Sequence, residues 1–375
     1  MLNLRSPFLL ALLLFSAVNA AAQSADDRYP IVKGGKVGFI DSQGNEVIPA
    51  QFSSAGDTAH FSDGLAPVWG ADGGGYIDTA GRFVIGPQKE WGAARPFREG
   101  VACVLLWGKN GAQNQPAWID RGGKVIHVGG PEGSYFSGGM MTLAEGGKWG
   151  YVDKNFKFVI APQFRWAEAF SEDRAVVEVG NRWGFVDRSG KVVIRAKYDL
   201  VWQFHDGLAR VRYDVPRGKV MTVEGEQTDY SYKYGFVDRD GREVIRPQFS
   251  EATYFSEGYA LAAPPGSDRL GIIDKAGNFV HPPEYEDGEE FQEGLAPVMV
   301  GGRWGYVDRS GAWVIQPAFS HAEVFWHGLA RVAWESGAYG YVNKEGKAVW
   351  KSIPDTSEAD GRQQREGNAG RQPLY

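Results

Sequence analysis

The run Arg182-Trp183-Gly184-Phe185-Val186-Asp187-Arg188-Ser189-Gly190-Lys191-Val192-Val193-Ile194 decides the fold of this 375-residue chain. Along Trp183 to Asp187 the side chains alternate, with Trp183, Phe185 and Asp187 on one face and Gly184 and Val186 on the other. Asp187 to Gly190 fits a type I turn, because the Asp carboxylate accepts hydrogen bonds from the turn backbone and Gly tolerates positive φ at the fourth position. Val192, Val193 and Ile194 are β-branched and suit a returning strand. The run therefore reads as a β-hairpin. Gly184 should weaken its strand, so its recurrence implies that another backbone or a large ring lies against it.

The hairpin recurs about every 35 residues, which marks a repeat architecture. Nine copies start near Gly38, Gly75, Ala117, Gly150, Gly184, Gly235, Gly271, Gly305 and Gly340. Eight carry the turn Asp; the last has Asn343, which keeps the turn hydrogen bond and loses the charge. A second phrase alternates with the first: Phe204-His205-Asp206-Gly207-Leu208-Ala209-Arg210-Val211, with close relatives from Phe61, Phe291 and Phe325. Its Ala and Val share one face of a third strand. The variable residue between them (Pro67, Cys103, Val176, Arg210, Pro297) is expected on a wetter face, and the prolines suggest an edge strand. Six of the connectors before a second phrase carry an aromatic six residues ahead of its Phe (Trp91, Phe164, Tyr198, Phe249, Tyr285 and Phe319), and the connector is expected to be a tight loop.

The chain opens in phase with the Ala/Val strand, at Tyr29-Pro30-Ile31, and the last returning strand is Lys347 to Trp350. The unit is thus a three-stranded antiparallel meander, repeated nine times over residues 23–353. One such meander is marginal in water, so the units must stack. Insertions at 107–116 and 212–232 break the period and are expected as loops on a binding face.

A net charge of −6, or −7 without a leader carrying Arg5, argues against a nucleic-acid partner. Residues 1–22 read as a signal peptide: Arg5, the apolar run Phe8 to Phe15, then small residues at Val18-Asn19-Ala20 or Ala20-Ala21-Ala22. The run is too short to span a bilayer. The protein is expected to be exported, periplasmic or secreted. Cys103 is the single cysteine, so no intramolecular disulfide can form. The polar residues 354–375 are expected to be a disordered tail.

No P-loop, zincin helix, Gly-x-Ser-x-Gly elbow or paired cysteine is present in the sequence. Each phrase Asp stands alone, where calcium takes six to eight oxygens, so turn capping explains the series and no metal or cofactor is expected. Asp287, Glu289, Glu290 and Glu293 read as a solvated connector. Trp149, Trp183 and Trp304 hold the phrase position and are expected to pack. Trp166, Trp202 and Trp326 lie in connectors; with Tyr213, Tyr230 and Tyr232 of the 212–232 insertion they are the candidate contacts for a partner or a sugar.

The phrases Lys148-Trp149-Gly150-Tyr151-Val152-Asp153, Arg182 to Asp187 and Arg303-Trp304-Gly305-Tyr306-Val307-Asp308 resemble the bacterial WG-repeat (KWG-repeat) family. So do the Val-Ile-x-Pro-x-Phe and Phe-x-Glu-Gly-Leu-Ala stretches that follow. Val37, Gly74, Pro116, Tyr234, Leu270 and Tyr339 stand where the Trp would be, which fits packing better than an obligatory functional Trp. The resemblance implies a β-repeat array of variable copy number and transfers no catalytic residue. That variability, and three strands per unit where propeller blades have four, favour an open solenoid over a closed propeller-like ring. The expected function is a non-catalytic binding or scaffold protein of the cell envelope facing a protein partner. The alternative is a carbohydrate or peptidoglycan binder using exposed tryptophans.

Overall fold

The computed structural model describes residues 27–53, 60–108, 114–131, 134–222 and 225–353. The signal-peptide and tail readings, and residues 109–113 of the 107–116 insertion, lie outside these. The described chain is all-β, in nine small antiparallel sheets at residues 29–52, 65–88, 91–128, 141–164, 166–198, 200–249, 251–285, 287–319 and 321–351. It falls into two compact units, residues 27–247 with 326–328, and residues 248–325 with 329–353.

Each phrase folds as its sequence dictates. Asp187 Oδ1 accepts the backbone N–H groups of Ser189 and Lys191 at 2.9 and 3.1 Å, and Gly190 sits at φ 83°. Asn343 Oδ1 takes the Lys347 N–H at 2.9 Å in the ninth copy, as the surviving carbonyl of its side chain allows. The returning strand bulges opposite Gly184, between the pairs Trp183↔Tyr198 and Phe185↔Ile194. A Cβ there would lie 2.5 Å from the Ile194 carbonyl oxygen, so the approaching surface is backbone.

Six of the nine sheets have a fourth strand that the three-strand reading missed. The connector is not a loop: Trp91–Ala94, Trp166–Ser171, Leu200–His205, Glu251–Ala252, Asp287–Gly288 and His321–Ala322 each pair outside the Ala/Val strand. The Ala/Val strand is therefore interior in these sheets. Pro297 is tolerated there because its position gives only a carbonyl to the short inner strand, which takes the Glu289 N–H at 3.1 Å. Pro67 does stand on an edge, in the three-stranded second sheet. The variable position is not generally wet either: Pro67, Cys103, Val176, Leu261 and Pro297 are buried, because both faces of this strand meet neighbouring sheets.

Apolar clusters join consecutive sheets. In the first unit Val176, Phe185, Tyr198, Phe204 and Val211 share one cluster; in the second Tyr306, Phe319, Phe325 and Val342 share another. Buried phrase tyrosines reach across: Tyr76, Tyr151 and Tyr306 Oη donate to the carbonyls of Arg95, Glu168 and Glu323. A polar joint runs along the turns of the second phrase. Asp63 takes the Gly100 N–H at 2.7 Å, Glu99 the Gly139 N–H at 2.9 Å, Glu172 the Gly207 N–H at 3.0 Å and Glu257 the Gly294 N–H at 2.8 Å. A base following a phrase Asp closes each joint: Arg121 on Asp63, Lys154 on Glu99, Arg239 on Glu172, Arg309 on Glu257.

The open array favoured from copy number gives the first strand no distant neighbour. In the first unit it has one. Tyr29 Oη donates to the His327 carbonyl at 2.6 Å, Trp326 lies edge-on to Tyr29 at 5.9 Å, and His327 Nδ1 pairs with Asp27. This contact lies within the first unit and spans 298 residues of sequence. Strand Tyr29–Lys33 itself pairs with Lys36–Ile40.

Glu289 departs from the solvated connector expected of it. Burial, then the charges of Glu290, Glu323 and Asp287, push its carboxyl up to about 7 from an ordinary 4.5. A folded-state value above the unfolded one gives stability that is complete below pH 4.5 and lost as pH rises through about 7. Glu289→Gln is expected to raise the thermal midpoint at about pH 8 and leave it unchanged at about pH 4. An unchanged or lower midpoint at the higher pH would count against this account. Glu293 belongs instead to a turn joint, where Lys344 Nζ donates to its carbonyl at 3.0 Å.

Candidate functional site

The 212–232 insertion is not a loop. Strands Leu208–Thr222 and Gly225–Asp238 of the sixth sheet run on past their neighbours as a two-stranded hairpin. Period-2 alternation governs it. Arg210, Arg212, Asp214 and Pro216 stand opposite Phe236, Tyr234, Tyr232 and Tyr230, so all share one face. A bulge between Pro216 and Gly218 puts one extra residue into the first strand.

Aromatic rings and guanidinium groups interleave along that face. The Arg210 guanidinium carbon lies 3.9 Å from the Trp202 ring centre and 5.5 Å from that of Tyr234. Trp202 and Tyr234 are 5.7 Å apart, and Arg212 sits 4.4 Å over the Tyr232 ring. Such stacks contribute about 0.5–2 kcal/mol each and hold planar groups in fixed orientations. Arg212 is oriented further by Asp214, with Nε and Nη2 donating at 2.7 and 3.2 Å. Burial would lower the Arg212 pKa, but Asp214 and the neighbouring Tyr234 outweigh it and hold it above its ordinary value. Asp199 supports the base of the hairpin, accepting from Arg182 and from the Asp214 N–H.

The candidate residues separate on this geometry. Trp202 lies in the inner strand Leu200–His205 and, with Tyr232, belongs to the ladder; Tyr230 continues it outward. Tyr230 and Tyr232 are 42% and 45% exposed, which leaves edge and face for a partner. Tyr213 is on the opposite face, packed 5.5 Å from Tyr198 with its hydroxyl on Glu243. Trp326 is half-buried between Tyr29 and the ring of His327, 4.1 Å away. Trp166 is 40% exposed and leans on Trp149 at 4.9 Å, remote in sequence from the hairpin. Arg210, Arg212 and Tyr234 were missed from the sequence. The signal was present: Arg210-x-Arg212-x-Asp214 and Tyr230-x-Tyr232-x-Tyr234 are two period-2 runs that a hairpin brings face to face.

A comparison with solved structures finds a eukaryotic initiation factor at TM-score 0.58 and 10% identity, covering 87% of this chain and 96% of that one. BamB from Moraxella catarrhalis (TM-score 0.38, 13% identity, 69% and 87% coverage) and Hsv2p from Kluyveromyces lactis (0.36, 7%, 68% and 94%) are more distant. At such identities the first likeness is one of fold. No curated protein matches the sequence. The family model described as a WG containing repeat matches residues 38–68, 75–109, 149–183, 183–214, 234–262, 271–304 and 304–333. Those matches take in more than half of the chain, and the described residues fold into the repeated hairpin they predict; the chain belongs to the WG-repeat family.

Proposed function

We propose that this protein is a non-catalytic scaffold of the bacterial cell envelope that docks a protein partner on the projecting hairpin. The observation that carries the reading is the interleaved row Trp202–Arg210–Tyr234–Arg212–Tyr232, on an arm that extends beyond its sheet. Tyr, Trp and Arg are the residues that dominate binding energy at protein interfaces, and here they are preorganised by one another. Export rests on the leader-like residues 1–22. A sugar-binding role would need open indole faces, and Trp202 has one face under Arg210 while Trp326 is stacked on His327.

The test compares two forms of the mature protein in envelope extract by quantitative crosslinking. One is unaltered; the other joins Tyr213 to Lys233 through Asn-Gly, a two-residue hairpin turn. A partner retained by the first and lost by the second, at equal thermal midpoints, supports the reading. Equal capture by both forms overturns it.

A further inference from the structure

We propose that the outer edge of the hairpin's second strand pairs with the same edge of a second copy, forming a symmetric dimer through residues 229–233. Backbone direction identifies this edge. On the first strand, the Arg212 carbonyl accepts from Asp199 N and the Asp214 N–H reaches the Asp199 carboxylate, so even-numbered residues there point away from the second strand. Their partners Tyr232 and Tyr230 therefore point their own N–H and C=O groups outward too. In six of the other sheets the returning strand ends level with the phrase position, as in Trp183↔Tyr198 and Trp304↔Phe319. Here it ends at Phe249, and Ser250 N turns to Ala263. Among the described residues, Tyr230 and Tyr232 are laddered on one side only.

The two edges of the hairpin are not equivalent. The first strand carries Pro216, a bulge and the Asp199 cap, all of which blunt an edge. The second runs Asp229-Tyr230-Ser231-Tyr232-Lys233 without Pro, Gly or bulge. An exposed edge of this kind is a template for another strand.

Charge selects the occupant and the register. Symmetric antiparallel pairing centred on Ser231 sets Asp229 opposite Lys233 twice and Tyr230 opposite Tyr232 twice. Tyr230 and Tyr232 would then form the hydrogen-bonded pairs, while Ser231 meets Ser231 of the second copy in a close non-hydrogen-bonded pair. Centring on Asp229 instead opposes two like charges, and centring on Tyr230 gives no ion pair. Neither Asp229 nor Lys233 has an ion-pair partner among the described residues. The interface closes on itself with two-fold symmetry and leaves the Trp202–Tyr232 face open, so each dimer presents two docking rows.

Ser231→Cys tests the dyad. Close non-hydrogen-bonded pairs meet disulfide geometry, and the one native cysteine, Cys103, is buried. Mild oxidation of the full mature chain is expected to give a covalent dimer from Ser231→Cys and little from Thr228→Cys. Sedimentation equilibrium is expected to show a dimer whose dissociation constant rises about tenfold or more in Lys233→Asp. The double variant Asp229→Lys/Lys233→Asp should recover it. A monomer at every concentration, equal crosslinking from both cysteine variants, or no recovery in the swap would overturn the proposal. These variants leave the Trp202–Arg212 stack intact, so failed dimerisation and failed partner capture are separate results.

Discussion

Gly184→Ala is expected to cost about 3 kcal/mol or more, read as a lower denaturation midpoint, although it adds a single methyl group. The added Cβ would stand 2.5 Å from the Ile194 carbonyl oxygen and 2.7 Å from Ala196 N. Both are backbone atoms of the returning strand, so no side-chain rotation relieves the contact. The strand would have to move away, opening the bulge and drawing Ile194 out of its cluster. Gly180 supplies the contrast. It has φ +67° with nothing within 4 Å of a Cβ, so Gly180→Asn should cost less than about 1 kcal/mol. Similar losses at both positions would mean that conformational freedom, and not close approach, explains the WG glycine.

Phe204→Ala should be comparably damaging, at about 3–5 kcal/mol in urea denaturation. Phe204 is fully buried, lies 4.9 Å from the Phe185 ring and gives its carbonyl to Ser171 Oγ at 2.7 Å. Its ring thus fills the space between the fifth and sixth sheets, and truncation leaves a cavity that two laddered sheets cannot collapse into. Trp166→Ala removes a larger ring from an exposed site and should cost much less. A small loss for Phe204→Ala would show that consecutive sheets are held chiefly by their polar joints.

Elements that repeat locally were legible in the sequence. The Asp187 cap, the Gly184 approach and the Phe185 core position all follow from a window of about a dozen residues. The inner strands were not, because pairs as short as Asp287–Gly288 or His321–Ala322 carry no alternation to detect. Their presence reversed the edge assignment of Pro297. The hairpin was hidden by its composition: Arg212, Asp214 and Lys219 look like loop residues until they are set against Tyr234, Tyr232 and Thr228. The polar joints were invisible for another reason. Glu172 and Arg239 are separated by 67 residues, and nothing near either one names the other.

Those joints bear on how such a chain can change length. The carboxylate of one repeat answers a backbone amide and a base of the next: Glu257 meets Gly294 and Arg309, and Glu293 meets Lys344. A unit jointed in this way carries a plug at one side and a socket at the other, both written in its own sequence. A duplicated unit arrives with both halves of its coupling, and excising one leaves flanking halves that still fit. Gene-level copying can lengthen or shorten the array without inventing a new contact, whereas a cut inside a unit strands a charge on each side.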